Sequence, residues 1–257
     1  MQVKESFNLK GKTALVTGGS EGIGKAIALA FAELGAVVLI NYYLGSEKAD
    51  EIRKQIEQRG GKCFLLEHDI SKLDTPSVFK GFLEANHLDI DILVLNASVQ
   101  FRKAWDDISP EEFESQINTN FRASLLLIQA LYPNMKKKAW GRILTIGSIQ
   151  QIRPHSQMTV YAATKAAQVN LVKNLAPQFA PFGITINNLA PGAIATKRNK
   201  EALENPDYKR KVEAKIPMGL VGEAFDCAPM ALLLCSDAGR YITGQDIYVD
   251  GGMSLLT

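Results

Sequence analysis

Short apolar runs alternate along the chain with longer segments in which apolar residues return every three or four positions. The runs Thr13 to Thr17, Val37 to Asn41, Cys63 to Leu66, Ile90 to Leu95, Ile143 to Ile146, Thr185 to Leu189 and Gln245 to Val249 predict seven strands. Most are apolar throughout, the pattern of strands covered on both faces. Helical periodicity predicts helices over Ile23 to Leu34, Glu47 to Arg59, Pro76 to Glu84, Pro110 to Lys137, Thr159 to Ala176 and Ala224 to Cys235, each ended by Gly, Pro or a polar cluster. This alternation implies an α/β fold: a doubly wound, seven-stranded parallel sheet with helices on both faces, in one domain over residues 1–257. Pro191 to Pro217 has no clear period, follows a strand and is rich in Asn, Lys and Glu, so it is expected to be a loop that covers a ligand. Pro177 lacks a backbone donor and is expected to kink or end the last turns of its helix. Lys136 to Lys138 reads as the charged end of a long helix.

Composition narrows the partners. With 46% hydrophobic residues in 257, the chain can build a large core without metal or disulfide staples. A net charge of +2 lacks the basic excess that phosphate backbones attract, so nucleic acid is not an expected partner. Cys63, Cys227 and Cys235 form no CxxC pair, which argues against a disulfide framework or a zinc site and for a reducing compartment. No run approaches the ~20 apolar residues needed to span a bilayer, and the N-terminus has no signal-peptide core. A soluble, cytoplasmic protein without a metal or a membrane partner is expected.

The first strand runs into Thr17-Gly18-Gly19-Ser20-Glu21-Gly22-Ile23-Gly24, and a helical pattern follows at once. Glycines let bare backbone approach a pyrophosphate, and the following helix N-terminus offers unpaired N–H groups and partial positive charge. A glycine-rich turn alone is a weak signal; between strand and helix it points to a dinucleotide. At the end of the second strand, Asn41-Tyr42 offers no carboxylate for a ribose 2′-hydroxyl and none to repel a 2′-phosphate. Glu21 supplies no positive partner for that phosphate, so within NAD(P) the balance leans only slightly to NADP. Asp69, followed by Ile70 after the third strand, is placed to accept from an adenine amino group and to cap a helix, two roles that are compatible.

Tyr161 and Lys165 are four residues apart at the start of a helical segment and share one face. An ammonium about 4 Å from a phenol, at an effective dielectric of about 20, is worth roughly 4 kcal/mol and suits the pair to proton exchange near neutral pH. Ser148 lies upstream at the C-terminal end of a predicted strand, where open α/β sheets bind ligands.

In this combination the sequence resembles the short-chain dehydrogenase/reductase family over nearly its whole length, in the branch of 3-oxoacyl-carrier-protein reductases and glucose or gluconate dehydrogenases. The resemblance implies a cofactor signature at Gly18, Gly22 and Gly24, a cofactor-flanking segment Asn96-Ala97-Ser98, and a tetrad of Asn120, Ser148, Tyr161 and Lys165. Pro191-Gly192, Ile194 and Thr196 then flank the nicotinamide, and Val249-Asp250-Gly251-Gly252 matches the family's usual ending. By the same resemblance Tyr161 protonates a carbonyl oxygen as hydride arrives, Ser148 holds that oxygen, Lys165 activates the phenol and binds the ribose, and Asn120 steadies a water that relays protons to Lys165. A homotetramer is also implied. Ser98 departs from the family's usual glycine and adds a Cβ beside the cofactor.

The loop from Ile149 to Val160 is polar and suits a small carbonyl or alcohol substrate such as a sugar, polyol or sugar acid, with Gln150 and Arg153 as binding residues. Arg153 could grip a carboxylate or phosphate, whereas His155 reads as a surface histidine. A 3-oxoacyl-carrier-protein reductase is the alternative, weakened by Phe182 where those enzymes often carry a basic residue. The Tyr161 to Lys165 spacing argues against the enoyl reductases of the superfamily. A non-catalytic, dinucleotide-sensing regulator is the alternative from another class, and the complete tetrad counts against it.

Overall fold

The apolar runs are realised as one parallel sheet: β1 (Thr13–Thr17), β2 (Val37–Tyr42), β3 (Lys62–Glu67), β4 (Ile92–Leu95), β5 (Gly141–Ile146), β6 (Ile184–Pro191) and β7 (Asp246–Val249), ordered β3-β2-β1-β4-β5-β6-β7. The structure is a computed structural model and describes residues 2–255, the side chains of Lys200 and Glu201 excepted. Winding reverses between β1 and β4, and the crevice at the carboxyl ends of these two strands is where such sheets bind ligands.

Alternate residues of each strand feed two cores, as side chains along a strand must. Val16, Ile40 and Val94 pack with Ile27, Ala28 and Phe31 of α1 (Gly22–Glu33) and with the apolar helix after Cys227. Leu15, Leu39 and Leu93 pack on the opposite face against α3 (Thr75–Ala85), α5 (Ala123–Lys138) and α6 (Thr159–Phe179). Each fully buried Leu, Ile or Phe stabilises the fold by about 1.5–3 kcal/mol. The charged α2 (Ser46–Gln58) keeps a narrower inward stripe of Ala49, Ile52 and Ile56. Lys136, Lys137 and Lys138 do form the last turn of α5, and Lys138 Nζ lies 2.8 Å from Asp91 Oδ1.

Three expectations are corrected. The single helix expected from Pro110 to Lys137 is α4 (Pro110–Ile117), a π-helical turn over Asn118–Arg122, and α5. The widened turn aims the Asn120 side chain inward, where three hydrogen bonds hold it. Pro177 does not end α6, which runs on to Phe179; Pro177 faces solvent, and Phe179 anchors the last turn by stacking on Tyr132 at 4.6 Å. The segment expected to be a patternless loop holds α7 (Lys197–Glu204) and α8 (Pro206–Glu213). Both are so charged that too few apolar positions remain to show a period, and α8 starts because Asn205 Oδ1 accepts from the Asp207 and Tyr208 N–H groups. The last helix, α9 (Ala228–Cys235), follows a 3₁₀ turn over Ala224–Cys227.

Among the described residues no helix is long and apolar enough to cross a membrane. The three thiols are free and buried, and burial pushes each up to about 12.

Candidate active site

A cavity of about 620 Å³ opens over the carboxyl ends of β1, β4, β5 and β6. At one end stands the glycine turn. Gly18 and Gly22 adopt φ of +60° and +57°, and Gly24 has no room for a side chain: a Cβ there would lie 2.5 Å from both Asn96 Nδ2 and the Gly18 carbonyl. Asn96 stitches its loop to the turn, donating from Nδ2 to the carbonyls of Thr17 and Gly18 at 2.9 and 3.0 Å. Glu21 occupies the N-cap position of α1 without a side-chain cap bond, which leaves the helix's first N–H groups without a capping side chain, and Ser20, Glu21, Gly22 and Ile23 line the cavity there.

At the other end Ser148 ends β5's extension in an extended conformation. Its Oγ accepts from Gln150 N at 3.2 Å and its N–H donates to Gln151 Oε1. Gln151 is fixed in turn by Asp246 at 2.7 and 2.8 Å and by the Tyr248 hydroxyl at 3.1 Å, and Asn188 Nδ2 joins the same carboxylate at 2.6 Å. This polar network passes over Gly147, where a Cβ would meet Asn188 Nδ2 at 2.4 Å.

Tyr161 and Lys165 stand one turn apart on the buried face of α6 and line the cavity with Ser148, as the spacing implied. Lys165 Nζ is 5.6 Å from the Tyr161 ring centroid. It donates to the Ile146 carbonyl at 2.7 Å and to Gln168 Oε1 at 3.0 Å. Gln168 donates to Ser124 Oγ, and Ser124 donates to the Asn120 carbonyl, so side chains alone connect the lysine to the π turn. Burial lowers the Lys165 ammonium to about 7, with the Arg198 guanidinium adding to the effect. The charge that the sequence reading assigned to this residue is therefore itself titrated near neutral pH.

Across residues 18–254 the chain matches a family model described as enoyl-(acyl carrier protein) reductase. The 3beta-hydroxysteroid dehydrogenase 1 of Eggerthella lenta is 36% identical to it over 249 residues, 96% of this chain and 95% of that protein. The chain belongs to the short-chain dehydrogenase/reductase family.

Other family members of known kind are similar over the same span. The L-rhamnose-1-dehydrogenase of Scheffersomyces stipitis is 32% identical over 95% of this chain and 96% of its own length. Among solved structures, a 3-oxoacyl (acyl-carrier-protein) reductase from Agrobacterium tumefaciens C58 with NADP bound superimposes with a TM-score of 0.92 at 35% identity, covering 98% and 97% of the two chains. A gluconate 5-dehydrogenase from Burkholderia cenocepacia J2315 in complex with NADP and tartrate gives 0.93 at 29% identity over 100% of both. Like these dehydrogenases and reductases, the chain is an oxidoreductase acting on CH–OH groups.

Within this short-chain dehydrogenase/reductase site, most residues expected from sequence line the cavity: Gly18, Ser20, Glu21, Gly22, Ile23 and Asn41 on the first two strands' side. Asp69, Ile70, Asn96, Ala97 and Ser98 follow them, and Ser148, Gln150, Tyr161, Lys165, Pro191, Gly192, Ile194 and Thr196 complete the set. Asn41 spends its carboxamide on the carbonyls of Leu66 and His68. Asp69 caps no helix; Oδ1 accepts from Ser71 N at 3.0 Å, and α3 begins only at Thr75. Four expected residues stand off the cavity. Gly24 is inside the turn. Tyr42, the last residue of β2, points its hydroxyl at Glu67, and Tyr43, just past the strand, lines the cavity instead. Arg153 donates to the Met253 carbonyl at 2.9 Å and so braces the C-terminal segment rather than facing the substrate space. Asn120 is fully buried behind the cavity, its side chain taken by Val99 N, Val99 O and Thr164 Oγ1.

Other parts of the site had no signal in the sequence reading. Lys48 Nζ lies 2.8 Å from Glu21 and Lys197 Nζ 4.0 Å, so this carboxylate is flanked by two cations. Lys48 is raised by its hydrogen bond to Glu21, with Lys197 and the Glu21 charge adding. Ser98, the departure from the family's glycine, uses its extra hydroxyl: Arg198 Nη2 donates to Ser98 O at 2.8 Å and to Oγ at 3.1 Å, tying α7 to the loop after β4. His155 is exposed, as expected, and it also lines the cavity with Arg102 and Lys215.

Proposed function

We propose that the chain transfers hydride between a nicotinamide cofactor and the secondary alcohol or ketone of a polar substrate such as a sugar, polyol or sugar acid. The observation that carries this reading is one continuous cavity with an uncapped helix N-terminus and glycine turn at one end and Ser148, Tyr161 and Lys165 at the other. Gln150 Oε1 supports the polar substrate: among the described residues it is a buried acceptor without a hydrogen-bond partner, which a substrate hydroxyl would satisfy.

The glycine turn, Asn96 to Ser98 and Pro191 to Thr196 would hold the cofactor, which supplies or accepts the hydride. The Tyr161 hydroxyl passes a proton to or from the substrate oxygen. Ser148 Oγ donates a hydrogen bond to that oxygen, held in place through Gln151. Lys165 stabilises the phenolate with its charge, and Asn120 positions the loop after β4 and the α6 turn that carries Thr164. A water held near Asn120, relaying protons to Lys165, belongs to this reading. NADP is the preferred cofactor, supported by the missing carboxylate at Asn41 and by Lys48 and Lys197, which offset Glu21 near the end of β2.

A 3-oxoacyl-carrier-protein reductase is the second reading, supported by the likeness to the Agrobacterium enzyme. Phe182 counts against it, since the ring sits by Tyr132 at 6.3 Å with Lys136 above it and presents no cation of its own. One domain over residues 1–257, a homotetramer and a cytoplasmic location complete the proposal, the last supported by three unpaired buried thiols.

The test is a panel of polyols, aldoses, aldonic acids and β-ketoesters followed at 340 nm with NAD(H) and NADP(H), with light scattering for the assembly. Tyr161→Phe should lose turnover by about three orders of magnitude or more while keeping cofactor affinity within about threefold. Activity equal to the parent would remove the proposed proton path.

A further inference from the structure

The half of the cavity beyond Tyr161 carries an imbalance of charge. Arg102 reaches it from the loop after β4, His155 from the loop before α6, Arg198 from α7 and Lys215 from the segment after α8. Among the described residues the acids in the cavity wall are Glu21 and Asp69, and both belong to the nucleotide end. Among the described residues no carboxylate lies within 4 Å of Arg102, Arg198 or Lys215. Their neutral partners are few: Arg102 Nη2 donates to Asn199 Oδ1 at 3.4 Å, and Arg198 donates to Ser98. A chain of net charge +2 that gathers three cations at one mouth, with no acid among the described residues there, accepts mutual repulsion that a bound anion relieves.

His155 completes the arrangement. Its Nδ1 accepts from Gln157 N at 3.1 Å, so the neutral ring carries its hydrogen on Nε2 as a donor. Partial burial, then the nearby charges of Arg102 and Lys215, lower this imidazole and favour the neutral form. The site thus offers a guanidinium fork, an ammonium and a neutral N–H, a donor set with no acceptor, suited to the oxygens of an anion.

Building on the hydride-transfer reading, we infer that the substrate carries an anionic group, a carboxylate or a phosphate, held at the cavity mouth by Arg102, Lys215 and His155 while its alcohol or ketone faces Tyr161. The substrate class is then a polyhydroxy acid or a sugar phosphate rather than a neutral sugar or polyol.

Isothermal titration of the whole protein with D-gluconate, D-glucitol 6-phosphate and D-glucitol tests this, because the three differ mainly in the terminal group. At least one anionic ligand should bind about tenfold or more tightly than D-glucitol, and that margin should shrink as salt is raised from about 0.05 to about 0.5 M. Which anion leads identifies carboxylate or phosphate. Arg102→Gln and Lys215→Gln should each weaken the leading anion about tenfold more than they weaken D-glucitol. Binding of D-glucitol as tight as that of both anions, no binding of either anion, variants that weaken all three ligands alike, or turnover of an acetoacetyl thioester in preference to both anions would each overturn it. Binding does not depend on turnover, so a Tyr161→Phe protein as active as its parent would defeat the hydride-transfer reading while this ligand preference stood or fell separately.

Discussion

Gln168 offers a sharp test of how Lys165 works, because two substitutions there should act in opposite directions. Its Oε1 accepts from Lys165 Nζ at 3.0 Å in a fully buried site, where a hydrogen bond to a charged group is worth about 1.5–3 kcal/mol. The neutral amine also donates, so about half of that distinguishes ammonium from amine, or about one pH unit. Gln168→Leu should therefore lower the ammonium by about one unit below its value of about 7, and Gln168→Glu, with a carboxylate in the same place, should raise it. In profiles of kcat/KM from about pH 5.5 to 9.5, which report groups of the free enzyme, the limb where activity falls with rising pH should move down in the first variant and up in the second. Loss of packing would lower both variants without moving their limbs apart. Limbs that stay together or shift the same way would refute the idea that this amide sets the charge of Lys165.

Three further outcomes follow from the geometry. Lys165 drops from 10.5 to about 7 on folding, so below pH 7 the folded chain carries the full cost of a buried ammonium, about 5 kcal/mol, and between pH 7 and 10.5 stability climbs by up to about 1.4 kcal/mol per unit. Lys165→Met should lose that slope in urea melts across this window, and parallel curves for parent and variant would contradict it. Gly24→Ala forces a Cβ to 2.5 Å from Asn96 Nδ2 and Gly18 O and should cost about 1–3 kcal/mol in a urea melt along with most cofactor affinity; an unchanged melt would mean that the turn can yield. Ser98→Gly removes one of two acceptors for Arg198 and should raise the amide exchange rate of α7 several-fold, with equal protection as the contrary result.

The sheet, its two cores and the pairing of Tyr161 with Lys165 were readable because each rests on a local rule: period two in strands, period 3.6 in helices, and glycine where backbone must approach. What the sequence reading missed depended on contacts between distant segments. Arg153 has the right chemistry for an anion, yet the Met253 carbonyl takes its guanidinium, and Arg102 and Lys215 came to the mouth from loops whose course no periodicity describes. The choice of Tyr43 over Tyr42 turned on the single residue at which β2 ends. Gln168 did leave a trace, a polar residue on the same buried stripe of α6 as Tyr161, Lys165 and Val172. A long amide in such a stripe needs buried partners, and the lysine one turn before it was the obvious candidate. The π turn at Asn118–Arg122 left none, since its flanks continue the helical period on either side.

The grip of Asp246 and Tyr248 on Gln151 also couples the edge of the sheet to its middle. These two residues belong to the seventh strand, which lies at the edge of the sheet, while the glycine turn follows the first strand near its centre. If that edge strand comes away, Gln151 loses both partners that fix its amide nitrogen, and the backbone N–H of Ser148 loses a firmly held acceptor. Fraying of the outermost strand would thus be felt at Ser148, which follows β5, before it disturbs the turn between β1 and α1.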